Sequence, residues 1–333
     1  MPLLRVNATE DGLHKHGCRS EALPEIAELS GQTPGPAIVM IHGYKYDPAD
    51  IAHCPHRKLF GANGADWPRA LGFGAAAADE GLGIAFGWHA RGPLKQVHRR
   101  ASALGPALAD VLHALKAADP RRPVHLIAHS LGSEIALAAL AHLPARAVDR
   151  MLLLTGASFA TVAEQMLATP AGRTTEVFNV TSRENDLFDL AFETLVGFGH
   201  GANRAIGQGI NRPNVANIQL DCDRVLTSLA RMGVRVASAE RRVSHWSSYT
   251  RPGIMAFYTS LLRQPQSLSF HDLHRALPSS MAPRWSRFAL TPLAAAVCRV
   301  ASDTAVVAKG KIQRRASAVM GDTADQKRNE PAY

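Results

Sequence analysis

The sequence predicts an α/β protein with a mostly parallel central sheet flanked by helices. Two observations lead there. Short, unbroken apolar runs recur along the chain, which is the pattern of strands buried on both faces. Helical or long connecting segments separate them, as parallel strands require, because each strand needs a crossover before the next can pair. The length of 333 residues suits one domain of roughly 250 residues with an appendage better than two equal domains.

The elements follow in order. Leu3–Asn7 reads as a short first strand, and a polar stretch then runs to the turn signal Thr33-Pro34-Gly35-Pro36. Ala37-Ile38-Val39-Met40-Ile41 is a buried strand that stops at His42-Gly43-Tyr44. Leu82–Phe86 is the next such run. Ala101–Ala118 is helical, with Leu104, Leu108, Val111, Leu112 and Leu115 on one face. Val124–Ala128 is a strand that leads straight into Ser130 and a helical segment, Glu134–Leu143. Val148–Leu154 and Glu176–Val180 are further strands, Leu187–Leu195 is helical, and Val234–Ala237 is expected as a short last strand. Pro252–Leu262 closes the series as a helix with Pro in its first turn.

Past Arg263 the pattern weakens, and Pro265, Pro278, Pro283 and Pro292 interrupt it. The expected organisation is therefore one α/β domain over 1–264 and a basic, helical or partly disordered extension over 265–333. Within the extension, Trp285–Arg299 has the pattern of a basic amphipathic helix, and Asp322–Tyr333 that of a disordered tail.

Hydrophobic residues make up 46% of the chain and aromatics 6%, enough for one large core built mainly of Ala, Leu and Val. The net charge of +9 is uneven: from Pro265 to Tyr333, ten Lys/Arg stand against five Asp/Glu. The excess belongs largely to the extension, and no nucleic-acid motif accompanies it, so no nucleic-acid partner is expected. Trp285, Phe288 and Leu290 beside Arg284 and Arg287 would suit a weak contact with an anionic membrane surface. Four scattered cysteines fit reduced thiols. The N-terminus turns polar too early for a signal peptide, and no apolar run approaches the roughly 18 residues of a membrane span. A soluble cytoplasmic protein is the expectation. The clusters His14-Lys15-His16-Gly17-Cys18 and His53-Cys54-Pro55-His56 match no metal-ligand spacing. The glycine-rich Gly197–Gly209 does not follow a strand as a dinucleotide loop must. Neither a metal nor a cofactor is expected.

The chemistry centres on His129-Ser130-Leu131-Gly132. A serine between a buried strand and a helix sits on a sharp turn with its hydroxyl projecting, and the next N–H, of Leu131, can face a developing oxyanion. Gly132 provides the small residue such a turn needs, and Ala128 stands where glycine is usual. A serine there could instead only cap the helix. Three further features favour the nucleophile. His42-Gly43-Tyr44 ends the earlier strand, and Tyr44 N–H is the candidate second oxyanion donor. Asp186 follows the strand Glu176–Val180 and is the candidate acid, with Glu184 and Asp189 as rivals. His245, between the last expected strand and the final helix, is the candidate base, with His200 as its rival.

With Ile41-His42-Gly43-Tyr44, His129-Ser130-Leu131-Gly132, Asn185-Asp186 and His245-Trp246 in this order, the chain resembles the α/β-hydrolase superfamily, on its lipase and esterase branch. The resemblance implies the α/β-hydrolase fold, a Ser130–Asp186–His245 triad, an oxyanion hole of Tyr44 and Leu131 N–H groups, an acyl-enzyme and no cofactor. The substrate would be a small-molecule carboxylic ester or related acyl compound of unspecified kind. Two other roles share the scaffold: a catalytically silent binding or lipid-surface module, and an acyltransferase. Ser158–Gly172 stands where many hydrolases carry a lid, and it and Gly197–Gly209 could border the substrate entrance. Nothing in the sequence bears on oligomeric state.

Overall fold

The structure is a computed structural model that describes residues 3–62, 64–75, 77–197 and 203–288. Eight strands form one sheet: β1 Leu3–Thr9, β2 Gly12–Lys15, β3 Ala37–Ile41, β4 Leu82–Trp88, β5 Val124–His129, β6 Arg150–Leu154, β7 Glu176–Thr181 and β8 Val215–Gln219. Their order is β2-β1-β4-β3-β5-β6-β7-β8. The β1–β2 pair is antiparallel and every other pairing is parallel. The helices of seven or more residues are α1 Leu23–Gln32, α2 Leu94–Ala103, α3 Gly105–Ala118, α4 Gly132–Ala139, α5 Ala160–Met166, α6 Asp186–Val196, α7 Asp223–Arg231, α8 Ile254–Arg263 and α9 Phe270–Ala276.

Alternation along the central strands divides the core into two layers, because successive side chains leave opposite faces of a sheet. Val39, Ile41, Leu126 and Ala128 pack against α1, α3 and α4 through Ile26, Leu112 and Ile135. Ile38, Met40, Ile127 and Leu152 pack on the other face with Leu229, Phe257, Leu261 and Leu273 from α7, α8 and α9. With both faces covered, β3 to β6 are buried at every position, which is why they read as continuous apolar runs rather than alternating ones.

Three expectations change. The segment over Ala101–Ala118 is two helices, broken where the chain passes from Ala103 through Leu104 to Gly105. Val234–Ala237 is not a strand. Its valines pack half-buried on the second core layer, and the Ala237 N–H donates to Pro252 O rather than to a sheet neighbour. The last strand is β8, whose Val-Ala-Asn-Ile-Gln sequence gave no apolar run.

The domain boundary also lies later than position 264, because the compact unit runs to Arg284. Leu268 and Leu273 are buried, and the buried Arg150 donates to Leu261 O at 2.5 Å and to Leu268 O at 3.2 Å. The segment after α8 therefore completes the second core layer. A second unit spans Trp285–Tyr333. The expected amphipathic helix over Trp285–Arg299 lies almost wholly outside the described residues, as does the expected disordered tail. Among the described residues, no helix is long and apolar enough to cross a membrane.

The order of strands locates the site. From β3 the chain moves outward to β4, then returns to place β5 on the other side of β3. Loops leaving the carboxyl ends of β3 and β5 therefore diverge and open a crevice, the usual ligand position in an open α/β sheet.

Leu152 lies at the centre of β6 with no exposed surface. Leu152→Ala is expected to lower the unfolding free energy by about 2–5 kcal/mol, read as a shift in urea midpoint at unchanged slope.

Candidate active site

β5 ends at His129 and α4 begins at Gly132, leaving Ser130 and Leu131 to make the turn. Ser130 adopts φ 53°, in the left-handed region that a side chain other than glycine's enters only under constraint. The constraint is visible. Ser130 N–H donates to Leu154 O at 3.1 Å, and Ser130 C=O accepts from Ser133 and Ala157 N–H groups, both at 3.0 Å. Glycines let the neighbouring chain close in. A Cβ on Gly132 would lie 2.6 Å from His42 O, and one on Gly43 would lie 2.6 Å from Ser130 Cβ. Gly43 thus serves the Ser130 turn itself, beyond the backbone approach to substrate expected of it.

His42 sets the loop after β3. It is fully buried, and its Nε2 lies 3.0 Å from Trp88 N–H. An amide N–H can only donate, so Nε2 must accept and Nδ1 carries the proton. Nδ1–H then donates to Gly43 O at 2.9 Å. Burial pulls the His42 pKa down to about 3, keeping it neutral. In a trans peptide the carbonyl and the following N–H point in opposite directions, so fixing Gly43 C=O turns Tyr44 N–H away from His42. The Tyr44 hydroxyl anchors the loop to Gly92 O at 2.6 Å. Tyr44 and Leu131 both line the cavity that holds Ser130, and among the described residues neither N–H has a protein acceptor.

His245 arrives from the irregular segment before α8, and three contacts hold its backbone. His129 Nε2–H donates to His245 O at 3.1 Å, Thr155 Oγ1 donates to the same oxygen at 3.2 Å, and Ser244 N–H donates to Glu184 O at 3.0 Å. Thr155, at the end of β6, takes φ 40°, a strained conformation for a β-branched residue. The Phe188 ring stacks on His245 with centroids 4.6 Å apart, and the His129 ring lies 4.7 Å away on centroids. Burial first and the neighbouring His129 second push the His245 pKa well below 6.5, so the imidazole is a neutral base at pH 7.

The third member differs from the expectation. His245 Nδ1 is met by Asn185 Oδ1 at 2.6 Å. Asp186 points elsewhere, fully buried, with Oδ1 3.2 Å from Arg183 Nη1. The cause is local. The chain enters a tight helical turn at Arg183–Asn185 and continues directly into α6, where successive side chains rotate by about 100°. Only one of two adjacent residues can then face His245. Glu184, a rival for the role, is a buried structural tie to Arg251 at 2.5 Å. Asp189 sits behind Asn185 and receives its Nδ2 at 2.9 Å. His200 lies outside the described residues.

Ser130, His245 and Asn185 line one cavity of about 670 Å³. The Ser130 hydroxyl makes no hydrogen bond among the described residues, so the Ser130–His245 contact is open in this state. One wall, from α6 and the start of α2, is largely apolar, with Leu94, Phe188, Phe192 and Leu195, and Asp189 of α6 also borders the cavity. The opposite wall brings Lys45, Tyr46, His53 and Lys58 from the segment after β3. The expected lid, Ser158–Gly172, instead packs inward through Ala163, Leu167 and Ala171 and does not line this cavity. His129, Thr155 and Phe188 had no role assigned from the sequence, although His129 stands beside the nucleophile in the motif. Among the described residues no cluster of side chains could hold a metal ion.

An eight-stranded, mostly parallel sheet with a left-handed serine at the β5–α4 turn defines the class: the chain has the α/β-hydrolase fold. More narrowly, residues 25–185 match the sequence profile of the family described as "Alpha/beta hydrolase of unknown function (DUF900)". The matched span contains Tyr44, Ser130 and Leu131 and ends at Asn185, before His245. No curated protein matches the chain. Among solved structures the chain is similar to the crystal structure of TT1662 from Thermus thermophilus, at 14% identity and a TM-score of 0.33, over 56% of this chain and 80% of that one.

The buried neutral histidines make stability depend on pH. Burial holds His42 at about 3 and His129 at about 4, while both would titrate near 6.5 once unfolded. The unfolded chain therefore takes up protons that the folded chain refuses, and stability is complete above 6.5 and falls as pH drops toward 4. Thermal melts at pH 7.5 and pH 5 are expected to show the lower midpoint at pH 5.

Proposed function

We propose that the protein is a serine hydrolase that cleaves a carboxylic ester or a related acyl bond. Ser130 is the nucleophile, His245 the general base and Asn185 the group that orients it. The observation that carries this reading is the strained Ser130 turn, which opens into the same cavity as a neutral His245 whose Nδ1 is already engaged. A serine that merely capped α4 would need neither the strain nor that partner.

The steps follow from the groups in place. With Nδ1–H donated to Asn185, the His245 Nε2 lone pair takes the Ser130 proton as Oγ bonds to the acyl carbon. The carbonyl π electrons move onto oxygen, where the N–H groups of Tyr44 and Leu131 stabilise the charge. The tetrahedral species collapses, and the leaving alcohol departs with the proton held on His245. Water then repeats the sequence against the acyl-enzyme and releases the acid. Asn185 accepts the Nδ1 hydrogen bond as a carboxylate would, but brings no charge to offset the imidazolium. The apolar wall suits an acyl chain. The same acyl-enzyme could pass its acyl group to an alcohol other than water.

A fluorophosphonate probe is expected to label the full-length protein and not Ser130→Ala, read by mass spectrometry. p-Nitrophenyl esters are expected to be hydrolysed with a loss of at least about 10³-fold on Ser130→Ala. Folded wild type that neither labels nor hydrolyses any ester would point to a binding module. Ester formation with added alcohol would point to acyl transfer.

A further inference from the structure

Behind the His245–Asn185 pair lies a carboxylate that the mechanism above does not use. Asn185 Oδ1 faces His245 Nδ1 at 2.6 Å, and its Nδ2 donates to Asp189 Oδ1 at 2.9 Å. Asn185 and Asp189 are 2% and 3% exposed. The second oxygen, Asp189 Oδ2, has no hydrogen-bond partner among the described residues. The chain is shaped around it: a Cβ on Gly207 would lie 2.1 Å from Oδ2. A buried, half-satisfied carboxylate costs stability, and its one directed bond leads to the group that orients the base.

We propose that Asp189 is a positioning residue for the general base: as a carboxylate it holds the Asn185 amide with its oxygen toward His245, and so keeps the imidazole proton on Nδ1. The catalytic consequence rests on the serine-hydrolase reading, while the control of the tautomer does not. The logic is that of donors and acceptors. An ionised carboxylate only accepts, so the amide NH₂ must face Asp189. The amide oxygen is thereby turned to His245, and an oxygen only accepts. Nδ1 must then carry the proton, and the Nε2 lone pair is left for Ser130. An amide without this partner can rotate by 180° and present NH₂ to Nδ1. The imidazole proton would then sit on Nε2, and the base would be blocked with no change in net charge.

Protonating Asp189 removes the same constraint, since a carboxylic acid can donate to the amide oxygen. The groups around Asp189 are Arg183 before α6, Asp186 and Glu193 on α6, and Arg284 from the end of the unit. Burial is the largest influence, and the carboxyl titrates at about 7. His245 itself protonates well below 6.5, so the two events separate. Activity is expected above the Asp189 transition and declines as pH falls through it.

The test reads the tautomer directly, by imidazole ¹H–¹⁵N correlation on the full-length protein, alongside kcat for a p-nitrophenyl ester. In wild type, His245 is expected in the Nδ1–H form at pH 8.5, with the Nε2–H form growing near pH 7 in step with a limb in kcat. Asp189→Asn is expected to mix the tautomers at every pH, abolish that limb and lower kcat by about 10- to 100-fold. The swap Asn185→Asp with Asp189→Asn restores a carboxylate as sole acceptor for Nδ1 and an amide donor behind it. It is expected to recover the single tautomer and most of kcat without the limb near 7. A wild type whose His245 is not in the Nδ1–H form at pH 8.5 would overturn the proposal, as would Asp189→Asn that keeps the Nδ1–H form. Absence of ester hydrolysis in a wild type that shows the tautomer change would count against the hydrolase reading alone.

Discussion

The site depends on one close approach of backbone to backbone. The chain leaving β3 and the turn leaving β5 touch with no room for a Cβ at Gly43 or Gly132. That contact presses Ser130 into a left-handed conformation and brings the two candidate oxyanion donors to one cavity. It is possible because β3 and β5 are paired in register, Ala37 with Val124 through Ile41 with Ala128. The strands therefore end together, and the residues that follow them meet. The strain at Ser130 is held by three hydrogen bonds that tie the turn to the end of β6 and to the start of α4.

Burial then determines the protonation chemistry. His42, His129 and His245 are all pushed toward the neutral form by loss of water. A neutral imidazole has one donor and one acceptor, so each ring has a single useful tautomer, and the structure assigns each through its neighbours. The Trp88 N–H assigns His42, and the His245 carbonyl assigns His129. For His245 the assignment passes through an amide, Asn185, which by itself could face either way. That ambiguity gives the buried carboxylate behind it a purpose beyond packing.

The carboxylates of 184–189 show how one sequence segment separates into distinct jobs. Glu184 ties the His245 loop to Arg251, Asp186 faces Arg183, and Asp189 backs Asn185. From the sequence they were rivals for one position. In the folded chain a helical turn of about 100° per residue distributes them around an axis, and the residue left facing His245 is the uncharged one.

Periodicity and motif spacing alone determined the parallel α/β class, the central strands and the strand–Ser130–helix turn. The central strands are legible because burial on both faces leaves an unbroken apolar run. β8 was missed because its asparagine and glutamine interrupt that run, although Asn217 is satisfied through Ile210 and Asn179. Val234 and Val236 misled because two valines in alternation fit a strand and a half-buried coil equally well. The extent of the compact unit, to Arg284, depended on what Leu268 and Leu273 pack against. The partner of His245 was beyond sequence reading for a sharper reason: adjacent Asn185 and Asp186 differ by one position in the chain but by a quarter turn in space. Only the helical geometry and the anchoring of the His245 loop decide which of the two the imidazole meets.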